Sequence, residues 1–303
     1  MKCFYIYNPK SGKGKIFKYL NYIVENLNKI YDFVDVYESK SSIDIIEKVK
    51  VASYKYDVII FSGGDGTFND VASGISSCEN RPILGYIPMG TGNDIARNLK
   101  ISKRPKKALK IIADQKYIYH DVGKINDQYF IYVVALGSGS SSSFKTQHQT
   151  KKMFGRFAYV FEGVKEFFSP NIIRAKIEYD NKLIEVTTPL VLVLNTKSIG
   201  GMLFNRYGNL NDGSFDIILV NNGPAKGRLN VIKMFLQGML GIKKRPAISI
   251  KSKDFKISVD EDSIWTCDGN KGPVGNIKIE NLHNHLRIYA PKNKANKQKV
   301  RKV

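Results

Sequence analysis

Apolar positions in the first third of the chain fall into two alternating textures. Short continuous runs at residues 3–7, 33–37, 57–61 and 83–87 alternate with amphipathic stretches at 16–30, 43–52, 69–75 and 94–99. A short apolar run stopping at Gly, Asn or Pro reads as a buried strand, and apolar residues spaced three and four apart read as one helix face. Strands alternating with helices predict a parallel sheet covered on both sides, the α/β class. Ligands in such sheets sit beyond the carboxyl ends of the strands, and three glycine-bearing loops fall at those ends.

From about residue 117 the texture changes. Strand-like runs at 129–135, 172–179, 190–194, 215–220, 248–252, 256–259, 277–279 and 286–290 predict a mostly β, antiparallel, two-layered region. Two apolar, basic-flanked helical insertions, near 157–168 and 229–240, interrupt it and suit either core packing or a lipid-facing surface. No repeat or low-complexity linker separates the halves, so the predicted boundary is soft, within 116–123. Since domains take roughly 100–200 residues, the 303 residues predict two, at 1–120 and 121–291, followed by a basic flexible tail, 292–303.

Composition narrows the class. A hydrophobic content of 43%, spread along the whole length, is enough for packed cores and argues against a disordered chain. Cys3, Cys78 and Cys267 are too few and too scattered for a disulfide framework or paired metal ligands. No apolar run approaches the ~18 residues of a membrane span, and the opening MKCFYIYNPKSGKGK reads as a strand entering a glycine loop rather than a signal peptide. A cytoplasmic protein is expected.

The formal charge of +21 creates long-range attraction toward anionic surfaces, either membrane or nucleic acid. Basic residues cluster at Lys100, Lys103, Arg104, Lys106, Lys107 and Lys110, at Lys151, Lys152 and Arg156, and at Lys243, Lys244 and Arg245. The patterns of RNA-recognition, zinc-finger and basic-zipper modules are missing, so nucleic acid is not the expected partner. Each cation near an anionic leaflet contributes ~1 kcal/mol, which favours peripheral attachment at the inner face of the cell membrane.

The chemistry concentrates in the loops. Ser62-Gly63-Gly64-Asp65-Gly66-Thr67-Phe68-Asn69-Asp70 leaves a buried strand and enters a helix, so its backbone N–H groups can converge on a phosphate. Thr67 and Asn69 add neutral donors. Asp65 would repel phosphate unless a divalent cation lay between them. Such a turn also occurs for packing alone. Two further loops, Asn8-Pro9-Lys10-Ser11-Gly12-Lys13-Gly14-Lys15 and Pro88-Met89-Gly90-Thr91-Gly92-Asn93-Asp94, close neighbouring predicted strands and point to one shared anion site. Neither P-loop nor dinucleotide-fingerprint spacing is present.

These segments resemble the diacylglycerol kinase catalytic-domain lipid kinases, which include bacterial diacylglycerol kinases and sphingosine and ceramide kinases. NPKSGKGK, GGDGTFNDV and PMGTGNDIARNL carry the resemblance, followed in order by Asn211-Asp212-Gly213-Ser214-Phe215-Asp216 and Trp265-Thr266-Cys267-Asp268-Gly269. Residues 132–168 look like the Firmicutes-type members. The resemblance implies an N-terminal α/β nucleotide domain like that of NAD kinase and phosphofructokinase, a C-terminal β-sandwich, and an active site in the cleft between them.

It also implies roles for individual residues. Asn8, Pro9, Ser11, Gly12, Gly63, Gly64, Asp65, Gly66, Thr67, Asn69 and Thr91 would hold ATP, with Ser39 a further polar contact. Asp65 and Asp94 would organise the catalytic Mg²⁺. Asp212 would hold a structural magnesium together with backbone carbonyls at Asn209 and Ser214, an acidic turn without metal being the alternative. Asp268 would accept the hydroxyl proton of the lipid. The family's Asp-Gly-Glu here reads Asp268-Gly269-Asn270, and Asn cannot accept a proton. The expected activity is an ATP- and Mg-dependent kinase acting on a membrane lipid, foremost diacylglycerol. A catalytically weakened, membrane-associated nucleotide binder and an NAD kinase-like or sphingoid-base kinase are the alternatives. The acceptor and the formation of a homodimer stay open.

Overall fold

The computed structural model describes residues 1–137, 172–199, 202–205, 208–220, 230, 233–234, 237, 247–291 and 301–302. The expected insertion at 157–168, the Firmicutes-type segment beyond 137, the basic clusters at 151–156 and 243–245, and most of 229–240 lie outside the described residues. The chain divides into two compact units, Met1–Val122 with His283–Val303, and Gly123–Leu282.

The first unit runs β1 (Lys2–Tyr7), α1 (Leu20–Ile30), β2 (Phe33–Glu38), α2 (Ser42–Ser53), β3 (Val58–Gly63), α3 (Asp65–Ser76), β4 (Ile83–Pro88), α4 (Asp94–Asn98), α5 (Pro105–Ala113) and the first part of β5 (Lys116–Ile125). Its first four strands are parallel in the order β2-β1-β3-β4. Every residue of β3 and β4 is buried, the signature of a sheet covered on both faces. The predicted helix at 16–30 starts late. Residues Ser11–Lys18 form a 3-10 segment in which Gly12, Lys13 and Gly14 all take positive φ, and α1 begins only at Leu20. Helix α5 went unpredicted because its lysines read as a charge cluster. Pro105 starts it, and Ala108, Leu109 and Ile112 form its buried stripe.

The second unit comprises β6 (Gln128–Phe130), β7 (Val133–Gly137), β8 (Ile173–Tyr179), β9 (Lys182–Thr188), β10 (Leu190–Leu194), β11 (Ser198–Ile199), β12 (Met202–Leu203), β13 (Phe215–Leu219), β14 (Ile248–Ser252), β15 (Asp254–Ser258), β16 (Ile264–Cys267), β17 (Asn270–Val274) and the first part of β18 (Ile277–Tyr289). One antiparallel sheet has the order β14-β13-β10-β7-β16-β17. Strands β18, β15, β8 and β9 pair antiparallel in a second layer. Val134, Val191, Val193, Phe215 and Trp265 from the first layer and Ile177, Phe255, Ile257 and Ile279 from the second share one core, making a β-sandwich. Strand β10 is buried on both faces, with Leu190, Leu192 and Leu194 packing the other way against Phe204 and Met234.

The structure differs from the sequence reading in four further places. The runs at 277–279 and 286–290 are one strand, whose polar middle, Asn281 to His285, hid its continuity. Because the unit boundary falls inside that strand, residues 283–291 belong with the first unit and not, as expected, with the second. Within the expected flexible tail, Arg301–Lys302 forms β19, antiparallel to β5. Strand β9 was missed because its turn, Asp180-Asn181, was not read as a hairpin, although both residues take positive φ.

Helix α3 carries a pH-sensitive element. Burial pushes the Asp70 carboxyl up to about 6, partly offset by a hydrogen bond from Ser42. Below pH ~4 both native and unfolded chains hold the proton, so there is no penalty. From there to about 6 the native state binds more protons and stability falls as pH rises. Asp70→Asn should therefore match the parent near pH 4 and exceed it above pH 6, by on the order of 2 kcal/mol or a few degrees in Tm. A difference in Tm that stays constant across that range would contradict this.

Candidate active site

The three glycine-bearing loops sit at the carboxyl ends of β1, β3 and β4, side by side in the sheet, and are tied together by backbone and side-chain hydrogen bonds. The Asn8 N–H donates to the Ser62 carbonyl at 2.9 Å, and its Nδ2 donates to Thr67 Oγ1 at 3.0 Å. The Met89 and Gly90 N–H groups both donate to the Gly63 carbonyl, at 2.7 and 3.1 Å. Tyr86 Oη, buried under the loops, donates to the same carbonyl at 3.2 Å and lies 3.2 Å from Asn93 Oδ1, while Asn93 Nδ2 donates to the Gly90 carbonyl at 2.6 Å.

Close approach explains two glycines. Gly12 has φ +59°, and a Cβ there would lie 2.0 Å from the Met89 carbonyl oxygen. A Cβ on Gly90 would lie 2.5 Å from the Gly64 Cα.

The middle loop is tighter than expected. Gly63 still belongs to β3, Gly64 is the N-cap, and Asp65 already opens α3, which has no side-chain cap. Its first-turn N–H groups are of the kind that bind anions at a helix start. Gly66 is exposed, with open space where a side chain would be. The adjoining cavity, about 980 Å³, is lined by Gly12, Pro88 to Thr91 and Asn93, and by six cations: Lys13, Lys15, Lys103, Arg104, Lys106 and Lys107. No carboxylate is among the described residues that line it. The 103–107 cluster, read from sequence as a general basic patch, thus rims the loops. Lys103 Nζ also donates to the Gly92 carbonyl at 2.6 Å.

Asp65 has an unforeseen task. Its Oδ1 accepts from the Ile95 N–H at 3.0 Å, and the Asn93 and Asp94 N–H groups also act on the carboxylate, so it caps α4 and docks the third loop on the second. Burial pushes its pKa up, against the pull of those N–H groups. Asp94 is ion-paired with Arg97, one turn on. Ser39 is buried, and both its N–H and its hydroxyl serve the Tyr7 carbonyl, at 2.9 and 3.1 Å, closing β2 on β1. Pro9 and Ser11 lie in the first loop, where the Ser11 N–H donates to the Asn8 carbonyl at 3.2 Å. Asn69 is buried, and its Oδ1 meets no donor among the described residues.

The remaining predicted residues are in the second unit. Asp268 and Gly269 are the two central residues of the β16–β17 hairpin, with φ +49° and +85°, as a two-residue primed turn requires. The Asp268 carboxylate accepts three backbone N–H groups, from Ile131 at 2.8 Å and from Tyr132 and Val133 at 3.0 and 2.8 Å. It therefore fixes the β6–β7 link. Asn270 is exposed at the start of β17. Burial pushes the Cys267 thiol up to about 12, which leaves it inert. Trp265 is fully buried and donates from Nε1 to the Gly275 carbonyl at 2.8 Å.

Of the expected structural-magnesium residues, Asp212 is held by Lys251 Nζ at 2.6 Å and by the Ser214 hydroxyl at 2.9 Å, and Asn209 Oδ1 accepts from the Leu210 N–H at 2.9 Å. Among the described residues no group of three or more His, Cys, Asp or Glu could hold a metal, and no helix is long and apolar enough to cross a membrane.

Comparison with known proteins places the chain beside several relatives. The family model for the diacylglycerol kinase catalytic domain matches residues 2–125. The diacylglycerol kinase of Bacillus subtilis (strain 168) is 32% identical over 295 residues, 96% of each chain. That of Staphylococcus carnosus (strain TM300) is 30% identical over 299 residues, 97% of each. The crystal structure of a diacylglycerol kinase from Bacillus anthracis str. Sterne superposes with a TM-score of 0.82 at 26% identity, covering 97% of this chain and 98% of that one.

Proposed function

Because the chain belongs to the diacylglycerol kinase family and is a lipid kinase, we propose that it transfers the γ-phosphoryl group of ATP, with Mg²⁺, to the hydroxyl of diacylglycerol, giving phosphatidic acid and ADP. One observation carries the nucleotide half of this reading: the first and third of the three laced loops line a cavity with six cations and no carboxylate among its described lining. That is electrostatic preparation for a polyphosphate, since phosphoryl transfer asks a protein mainly for positioning and charge neutralisation. Magnesium in kinase sites is held by the phosphates and one or two carboxylates. Asp65 and Asp94 are the carboxylates at hand, and because both are already bonded we assign no protein-only magnesium site there. When bound, the ion would neutralise charge on the β- and γ-phosphates.

The acceptor half rests on the relatives' names, and the basic surface supports docking at the inner face of an anionic membrane. In the reaction the acceptor oxygen bonds to the γ-phosphorus, the bond to the β–γ bridging oxygen breaks, and the hydroxyl proton must leave. Asn270 cannot take it, and Asp268 is already engaged by three backbone N–H groups, so turnover should be slow. The same observation favours, as the second reading, a family member weakened to nucleotide binding.

The deciding experiment is Mg²⁺-dependent transfer of labelled γ-phosphate to diacylglycerol, sphingosine, ceramide and undecaprenol in anionic vesicles. Labelled phosphatidate is the expected product. Product from another acceptor alone would replace diacylglycerol, and ATP binding without transfer to any acceptor would establish the weakened form.

A further inference from the structure

The resemblance assigns the turn at Asp212 to a structural magnesium, but the residues around it do not fit one. Strand β13 leaves this turn and pairs with β14 so that Asp216 stands directly opposite Lys251. From that strand position Lys251 reaches back to Asp212, with Nζ 2.6 Å from Oδ2. The other oxygen, Oδ1, accepts the Ser214 hydroxyl at 2.9 Å. Asp216, whose charge also acts on Lys251, is bonded by Asn205 Nδ2. The ammonium therefore sits on the carboxylate that would be the metal's anionic ligand and feels the charge of a second, Asp216.

Magnesium demands about six oxygens at 2.0–2.1 Å in near-octahedral geometry and gives up water reluctantly. Lysine has three donors and no acceptor. It cannot join such a shell, and a divalent ion on Asp212 would face the ammonium at close range, where like charges repel strongly. A lysine held by the register of a β-ladder supplies the positive charge without a bound ion. We infer that Lys251 is a built-in cation that takes the place of structural magnesium at the Asp212 turn, so that the β13–β14 layer is held independently of divalent ions. This inference does not depend on the acceptor lipid or on the catalytic use of Mg²⁺.

The test is thermal unfolding of the nucleotide-free full chain in excess EDTA and in millimolar MgCl₂, for the wild type, Lys251→Met and Asp212→Asn. The readout is each protein's magnesium-induced Tm shift minus that of Asp212→Asn, which cancels binding elsewhere. The wild type should show no net shift. Lys251→Met should lose about 3 °C in EDTA and regain it with magnesium, as expected for a loss of this size in a chain this long. A net shift in the wild type, or none in Lys251→Met, would overturn the inference. Should Lys251→Met fail to fold, calorimetric titration of MgCl₂ into wild type and Asp212→Asn decides: identical heats support the built-in cation, and heat lost in Asp212→Asn refutes it.

Discussion

Replacing Gly12 or Gly90 by alanine should lower phosphoryl transfer by at least ~10²-fold, the scale on which small misplacements in a positioning site act, while leaving the fold intact. A Cβ on Gly12 would lie 2.0 Å from the Met89 carbonyl oxygen, and one on Gly90 would lie 2.5 Å from the Gly64 Cα. Both clashes are with backbone, so they are relieved only by separating the loops. Gly12 has the added burden of φ +59°, which costs an L-residue roughly 1–2 kcal/mol. The core strands beneath are buried on both faces and should hold. Steady-state kinetics with varied ATP, together with far-UV circular dichroism, would check this. The KM for ATP should rise and kcat fall while the spectrum stays unchanged. Wild-type kinetics in both variants would mean the three loops do not act as one site.

Gly66→Ala is the internal control. That residue has open space around it, so any loss of activity there reports on contact with the nucleotide and not on loop packing.

The parts of this site that were legible in the sequence are those whose signal is local. Continuous apolar runs stopping at Asn, Gly or Pro located β1, β3 and β4, and strand order then brought their loops together. What escaped was long-range. Asp65 looked like a metal carboxylate because nothing near it in sequence needs one, yet its partner is the start of α4, thirty residues on. Asp268-Gly269 looked like a catalytic pair, but its positive φ values and the N–H donors at residues 131–133 give it a conformational role that only tertiary structure reveals. Lys251, nearly forty residues beyond the turn it serves, carried no sequence signal. Helix α5 was legible in principle, from Pro105 and the spacing of Ala108, Leu109 and Ile112, but its lysines drew the reading toward charge.

The role of Asp268 leads to the second large effect. Asp268→Ala should destabilise the second unit by roughly 4 kcal/mol, because it leaves three backbone N–H groups without their charged acceptor and places alanine at φ +49°. Urea unfolding would show a lower midpoint at unchanged slope. Asp268→Asn keeps one acceptor oxygen and tolerates positive φ, so it should lose about half as much. Inactivity of Asp268→Ala is then no proof of a lost base. The informative partner is Asn270→Glu. Asn270 is exposed, so the change should leave the urea midpoint where it was, and a carboxylate able to take the acceptor proton should raise kcat by on the order of 10²-fold. A stable but inactive Asp268→Ala, with no gain from Asn270→Glu, would return the base to Asp268 and make its backbone bonds the means of aiming it.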